Sequence, residues 1–195
     1  LRSERGWTYD VGISSEGCLF EQVKLRGSAT WFDSHISDWI LWLPTTKGFF
    51  SPRNVKDVHS YGVELKANVD VRLGRQWALR LDANYSYTPS INVGEPISAA
   101  DRSVGKQLPY VPRHSASLTG VVSWRGWAFS YMWCHYSERY TMSSNDLSLT
   151  GRLPKYYMSN ISLEKSLQLR WAELSFKCLV NNIFDEEYLS VLSRP

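Results

Sequence analysis

Cysteine is scarce in this chain and unpaired. Cys18, Cys134 and Cys178 are odd in number and far apart, so there is no disulfide framework and no C-x-x-C metal or redox pair. Long hydrophobic runs are missing as well. No stretch approaches the ~18 apolar residues of a spanning helix, which excludes a helical membrane protein. Neither sign of charge dominates, with 22 Lys and Arg against 19 Asp and Glu, net +3. The charges are mixed along the chain without a basic run or basic helix, so nucleic-acid binding has no support. Leu1-Arg2-Ser3-Glu4-Arg5 lacks the charged start, apolar core and cleavage site of a signal peptide. There is no Gly-x-Ser-x-Gly and no paired His–Asp constellation to activate a nucleophile, so no catalytic residue is assigned. His35, His59, His114 and His135 are scattered, and their spacing suggests neither a metal site nor a cofactor site.

What is present is alternation. Between Tyr61 and Tyr87, Val63, Leu65, Ala67, Val69, Val71 and Leu73 share one face, opposite Glu64, Lys66, Asn68, Asp70 and Arg72. After a tight Gly74-Arg75-Gln76 turn, Trp77, Leu79, Leu81, Ala83, Tyr85 and Tyr87 repeat the pattern against Arg80, Asp82, Asn84 and Ser86. Period two is the strand signature. An ordinary strand is about five or six residues long. Here each arm runs for about ten, the length of a tilted strand that crosses a bilayer. An apolar face against lipid and a charged face against a wet lumen is the transmembrane β-barrel pattern. Nine Trp and eleven Tyr supply enough aromatics for interfacial girdles.

About eight such strands are predicted: near Trp7 to Ser14, Val23 to Leu43, the two hairpin arms, Ser115 to Trp124, a strand through Trp127 and Trp133, one from Tyr157 to Leu169, and one from Ala172 to Asn181. Lys165 is the exception on an otherwise apolar face. Connections alternate in length. Short ones fall at Gly74 to Gln76, Arg125-Gly126 and Leu169 to Trp171; long ones at Thr45 to Asn54, Thr88 to Arg113 and Met142 to Lys155. Barrels of the outer membrane sort their turns and loops in this way.

Three stretches resemble the C-terminal barrel of TonB-dependent outer-membrane receptors. Asn182-Ile183-Phe184-Asp185-Glu186-Glu187-Tyr188 is similar to that family's Asn-Leu-Phe-Asp-x-x-Tyr signature, carried by Asn182, Phe184, Asp185 and Tyr188. Tyr61-Gly62-Val63-Glu64 resembles a Gly-x-Glu strand opening, carried by Gly62 and Glu64. Leu108-Pro109-Tyr110-Val111-Pro112-Arg113-His114 resembles a Pro-x-x-Pro-x-His lead-in to the next strand, carried by Pro109 and Pro112. The resemblance covers essentially the whole chain. It implies an all-β, antiparallel up-and-down segment of a transmembrane barrel of about 22 strands. Residues 1–195 would then be a part of that barrel, without the plug domain and the final strand, as an internal fragment or trimmed piece. The implied partners are outer-membrane lipid, a nutrient ligand, the protein's own plug and TonB. The implied activity is active uptake of a ferric siderophore, haem, cobalamin or glycan across the bacterial outer membrane.

Loop residues are the expected ligand contacts: Lys47, Phe49, Phe50, Arg102, Lys106, Tyr110, Arg139 and Tyr140. Cationic and aromatic side chains suit an anionic, planar or metal-chelate ligand. His59 and His114, near loop–strand junctions, could reach a ligand such as haem, but a lone His specifies no geometry and surface or lumen histidines are the favoured reading. Two other readings fit the pattern: a complete eight-stranded barrel acting as adhesin or anchor, and a soluble β-sandwich binding module.

Overall fold

A computed structural model of the chain describes residues 1–44, 50–96, 99–149 and 151–190. Its long strands are β1 (Arg5–Leu19), β2 (Val23–Pro44), β3 (Phe50–Leu73), β4 (Trp77–Tyr87), β6 (His114–Trp124), β7 (Trp127–Tyr136), β10 (Tyr156–Gln168) and β11 (Glu173–Val180). Three short strands lie in the loops: β5 (Ser90–Asn92), β8 (Arg139–Tyr140) and β9 (Arg152–Leu153). The long strands form one antiparallel meander, β1-β2-β3-β4-β6-β7-β10-β11, and no helix occurs among the described residues. This is the all-β up-and-down architecture that the alternation predicts. β1 and β11 stand at opposite ends of the sheet, so the eight strands do not close into a small barrel of their own. A single continuous sheet is also not a sandwich.

Register keeps the two chemistries on two faces. Leu65 faces Tyr85, Val69 faces Leu81, and Leu81 in turn faces Gly120. On the other face Asp70 sits between Arg80 Nε at 2.8 Å and Arg26 Nη2 at 2.7 Å. Asn68 donates to Asp82, Ser175 to Glu164, and Ser130 pairs with Ser162 at 2.6 Å. Open hollows lie over this polar face; one of about 500 Å³ is lined by Lys24, Arg26, Asp70, Arg72 and Arg80. The apolar face has almost no covering: Val11, Ile13, Leu65, Leu118, Phe129, Leu163 and Phe176 are all exposed.

Aromatic rows bound that apolar face at both ends. At the short-turn end Trp77 stacks on Trp124 at 5.4 Å, and Lys165 lies 5.0 Å over Trp127. Lys165 interrupts the apolar pattern without a buried charge, because its Nζ reaches the Arg125 carbonyl at 2.8 Å while the stem covers apolar surface. At the loop end the row runs Trp7–His35–His59–Tyr61, then Tyr87–His114, then His135–Tyr157. Ten residues separate Trp77 from Tyr87; at ~3.4 Å per residue and a tilt of about 40–45° the rows stand roughly 25 Å apart.

The short turns, at Phe20–Gln22, Gly74–Gln76, Arg125–Gly126 and Leu169–Ala172, all fall at one end. Arg125 and Gly126 both have positive φ, 48° and 76°, as a two-residue hairpin turn requires. One connection differs from expectation. Thr45 to Asn54 was predicted as a long loop, yet β2 runs to Pro44 and pairs there with Phe50, leaving 45–49 between the strands. The strand tolerates Pro52 because β5 pairs with β3 only at Val58–Ser60. Beyond that point β3 has an open side among the described residues, the position where a missing N–H costs least.

Candidate functional site

The two long loops are folded, and one glutamine joins them. Gln107 is 1% exposed. Its Oε1 accepts the Ser90 N–H at 3.0 Å, and its Nε2 donates to the Val111 carbonyl at 3.3 Å. The Gln107 N–H donates to Asn145 Oδ1 at 2.8 Å, and Asn145 Nδ2 returns a bond to the Gln107 carbonyl at 2.8 Å. The Tyr110 N–H reaches the Tyr140 carbonyl at 2.7 Å. The loop that follows β4 is thereby tied to the loop that follows β7. Inside the first loop, Asn92, Ser103 and Asp101 form a second polar cluster, with Asn92 Nδ2 donating to Ser103 Oγ at 3.1 Å. Buried polar groups satisfied in this way hold a loop in one shape.

The expected contact residues separate on this frame. Arg102, Lys106 and Tyr110 are exposed on the first loop. Tyr140 is half-buried in β8. Arg139 is 5% exposed. Its Nη2 donates to the carbonyls of Leu189 and Pro154, at 3.0 and 3.3 Å, and the guanidinium lies 4.8 Å over Tyr156. Arg139 thus binds the segment that follows β11 to the sheet. Lys47 and Phe49 lie outside the described residues, and Phe50 opens β3.

The motif residues have identifiable structural tasks. Asn182, at φ 50°, accepts the Glu186 N–H on Oδ1 and donates Nδ2 to the Glu186 carbonyl, both at 3.0 Å. This closes the turn after β11 and brings Tyr188 onto Tyr156 at 4.9 Å. Asp185 occupies a second left-handed position, φ 50°, and Phe184 is exposed. At Gly62 any Cβ would lie 1.8 Å from the Tyr87 carbonyl oxygen, so only glycine fits. Glu64, two residues on, faces the polar hollow. Pro109 and Pro112 flank Tyr110, whose φ is 61°, and Leu108, buried just before them, donates its N–H to the Ser90 carbonyl at 2.8 Å.

His59 and His114 share the face of Val63 and Ala116, turned away from the hollow. His114 instead meets the Tyr85 hydroxyl at 2.8 Å. Asp33, His35 and His59 converge although their spacing along the chain does not suggest it. The signal existed only in the register, because His35 and His59 are direct cross-strand partners.

Fold and loops define a segment of an up-and-down β-barrel whose structured loops gather at one end. A sequence profile described as TonB dependent receptor-like, beta-barrel, matches residues 1–183. No curated protein matches the chain in sequence. Among solved structures, the ferric yersiniabactin uptake receptor FyuA from Yersinia pestis is similar, with TM-score 0.67 and 22% identity over 96% of this chain and 26% of that one. The ferric-catecholate import receptor Fiu from E. coli K12 gives 0.65 and 17%, over 97% of this chain and 24% of that one. The copper transporter OprC gives 0.64 and 21%, over 95% and 26%. The chain therefore spans about a quarter of the length of these proteins. It belongs to the TonB-dependent receptor family, as part of the β-barrel, and that is a family of receptors and transporters rather than enzymes.

Proposed function

We propose that this segment forms part of the wall and ligand-capturing rim of an outer-membrane receptor that takes up an anionic metal chelate, such as a ferric siderophore. In this reading the two aromatic rows sit at the membrane–water boundaries, and their ~25 Å separation suits the apolar band of an outer-membrane barrel. The linked loops face the outside, and the polar face with Arg26, Asp70 and Arg80 lines the lumen beside a plug. Plug, remaining strands and the TonB-coupling segment belong to the rest of the receptor.

The observation that carries the ligand class is the placement of Arg102, Lys106 and Tyr110. All three are exposed on a loop whose interior is fixed by the buried Gln107. Cations on a rigid frame bind an anion without first ordering the chain that bears them. A neutral cobalamin or glycan would make less use of them.

The test is the Arg102→Ala/Lys106→Ala receptor on whole cells, with anionic ferric chelates beside neutral cobalamin. A lost charge-assisted hydrogen bond costs about 1.5–3 kcal/mol, or roughly 10- to 150-fold in affinity. Chelate binding should fall by at least tenfold, with heat-modifiable migration on gels unchanged. Unaltered chelate binding would end the assignment, and a selective loss of cobalamin would redirect it.

A further inference from the structure

Outside the ligand loops, the strongest concentration of metal-binding chemistry lies on the apolar face at the loop end. Asp33 and His35 are two residues apart on β2, and His59 stands opposite His35 on β3. The donor atoms His35 Nδ1, His59 Nε2 and the Asp33 carboxylate all lie within 4.8 Å of one another. Asp33 already bridges the two rings, with Oδ2 2.8 Å from His59 Nε2 and Oδ1 3.3 Å from His35 Nδ1. The imidazoles stack at 4.1 Å with planes 20° apart, so both present a ring nitrogen to the same carboxylate.

Two further observations single out this cluster. His35 Nδ1 is sealed from solvent, and its 3.3 Å contact with Asp33 Oδ1 lacks the geometry of a hydrogen bond. A buried ring nitrogen without a hydrogen bond calls for an explanation, and an unlocated ion is one. Just beyond His35 the β2–β3 ladder breaks in a bulge between Ile36 and Trp39, where Asp38 adopts φ 59°. Bulges re-aim neighbouring side chains and gather beside functional sites. On the far side Trp7 stacks on His35 at 4.5 Å.

We infer that Asp33, His35 and His59 form a surface site for a divalent transition-metal ion of the zinc or copper class. Two imidazoles and one carboxylate suit these ions and leave a coordination position for water. Ring nitrogens on one tetrahedral ion stand about 3.3 Å apart, given metal–nitrogen bonds near 2.0–2.1 Å. Aiming both lone pairs at one ion requires the two rings to turn out of their present stack, a rotation about χ1 and χ2 that these half-buried side chains have room to make at the sheet surface. The ion then staples β2 to β3 where their hydrogen-bond ladder is interrupted. This site is separate from the ligand loops and is independent of what they capture.

The probe is Cu2+ added to the full-length receptor in detergent, read by electron paramagnetic resonance. One tightly bound Cu2+ should show coupling to two nitrogens and should quench the emission contributed by Trp7. His59→Gln should reduce the coupling to one nitrogen and weaken binding at least tenfold, while His114→Gln changes neither. Two-nitrogen coupling that survives His59→Gln would overturn the site. Where a histidine variant fails to assemble, Asp33→Asn decides, because it keeps the side chain's size and removes its charge. Unchanged Cu2+ affinity in that variant also overturns the site.

Discussion

Replacing Gln107 with Met tests whether one buried amide holds the loop after β4 in the shape that meets the loop after β7. Methionine nearly preserves the volume, so the change removes hydrogen bonds more than packing. The Ser90 N–H loses its acceptor at a residue that is 5% exposed, and the Val111 carbonyl loses a donor. An unsatisfied buried donor costs about 1–3 kcal/mol. At 1.4 kcal/mol per decade this is a rise of roughly 5- to 150-fold in local opening. The assay is amide hydrogen exchange on the full-length receptor. Peptides covering Ser90–Asn92 and residues 105–113 should exchange faster by that factor, and those covering Asn145 should follow only as the loosened main chain of residue 107 lets go of the Asn145 side chain. Peptides from mid-strand β4 and β6 serve as controls and should not change. If exchange in the loops stays as it was, or rises equally in the strands, the Gln107 amide does not hold the loop in shape.

Gly62→Ala must push the Tyr87 carbonyl away from a Cβ placed 1.8 Å from it; overpacking of this kind costs about 1–3 kcal/mol or more and should lower the urea midpoint of the folded receptor. Gly74→Ala, in open space at φ 70°, should cost only about 1–2 kcal/mol of backbone strain. Leu81 lies midway between the aromatic rows, whereas Leu79 is one step from the Trp77–Trp124 pair. Leu81→Arg should therefore destabilise the inserted barrel by about 2–4 kcal/mol and Leu79→Arg by less; equal effects in bilayer refolding titrations would contradict the assigned depth.

The strands were legible because period two reports directly on a two-faced sheet. Leu65 against Lys66 and Leu81 against Arg80 suffice to fix faces, and the Gly74 and Gly126 turns fix the partners. Loop structure was less legible. Pro44 and Pro52 stand in strand ends where, among the described residues, one side of the backbone has no ladder partner. Arg139 looked like a ligand contact because a loop arginine and a clamped arginine are the same letter. Only the fold shows the Leu189 carbonyl and Tyr156 around it. Gln107 attracted no notice at all, since an amide amid polar loop residues carries no periodic signal. The Asp33–His35–His59 cluster escaped for a related reason. Proximity across strands depends on register, and 24 residues of sequence separate the two histidines.

The reciprocal bonds between Gln107 and Asn145 bear on how such receptors diversify. Loops that hang independently from a scaffold can be traded one at a time, and each new version brings only its own properties. These two cannot. Asn145 bonds the main chain of residue 107, so a chimera carrying a foreign 88–113 segment keeps that contact only if its backbone passes through the same place, and the Tyr140 carbonyl likewise awaits a correctly placed N–H. The smallest transferable module is the pair of loops with β8 and β9. A library built to retarget this rim should therefore randomise both segments together, holding positions 107 and 145 constant as the joint on which everything else is mounted.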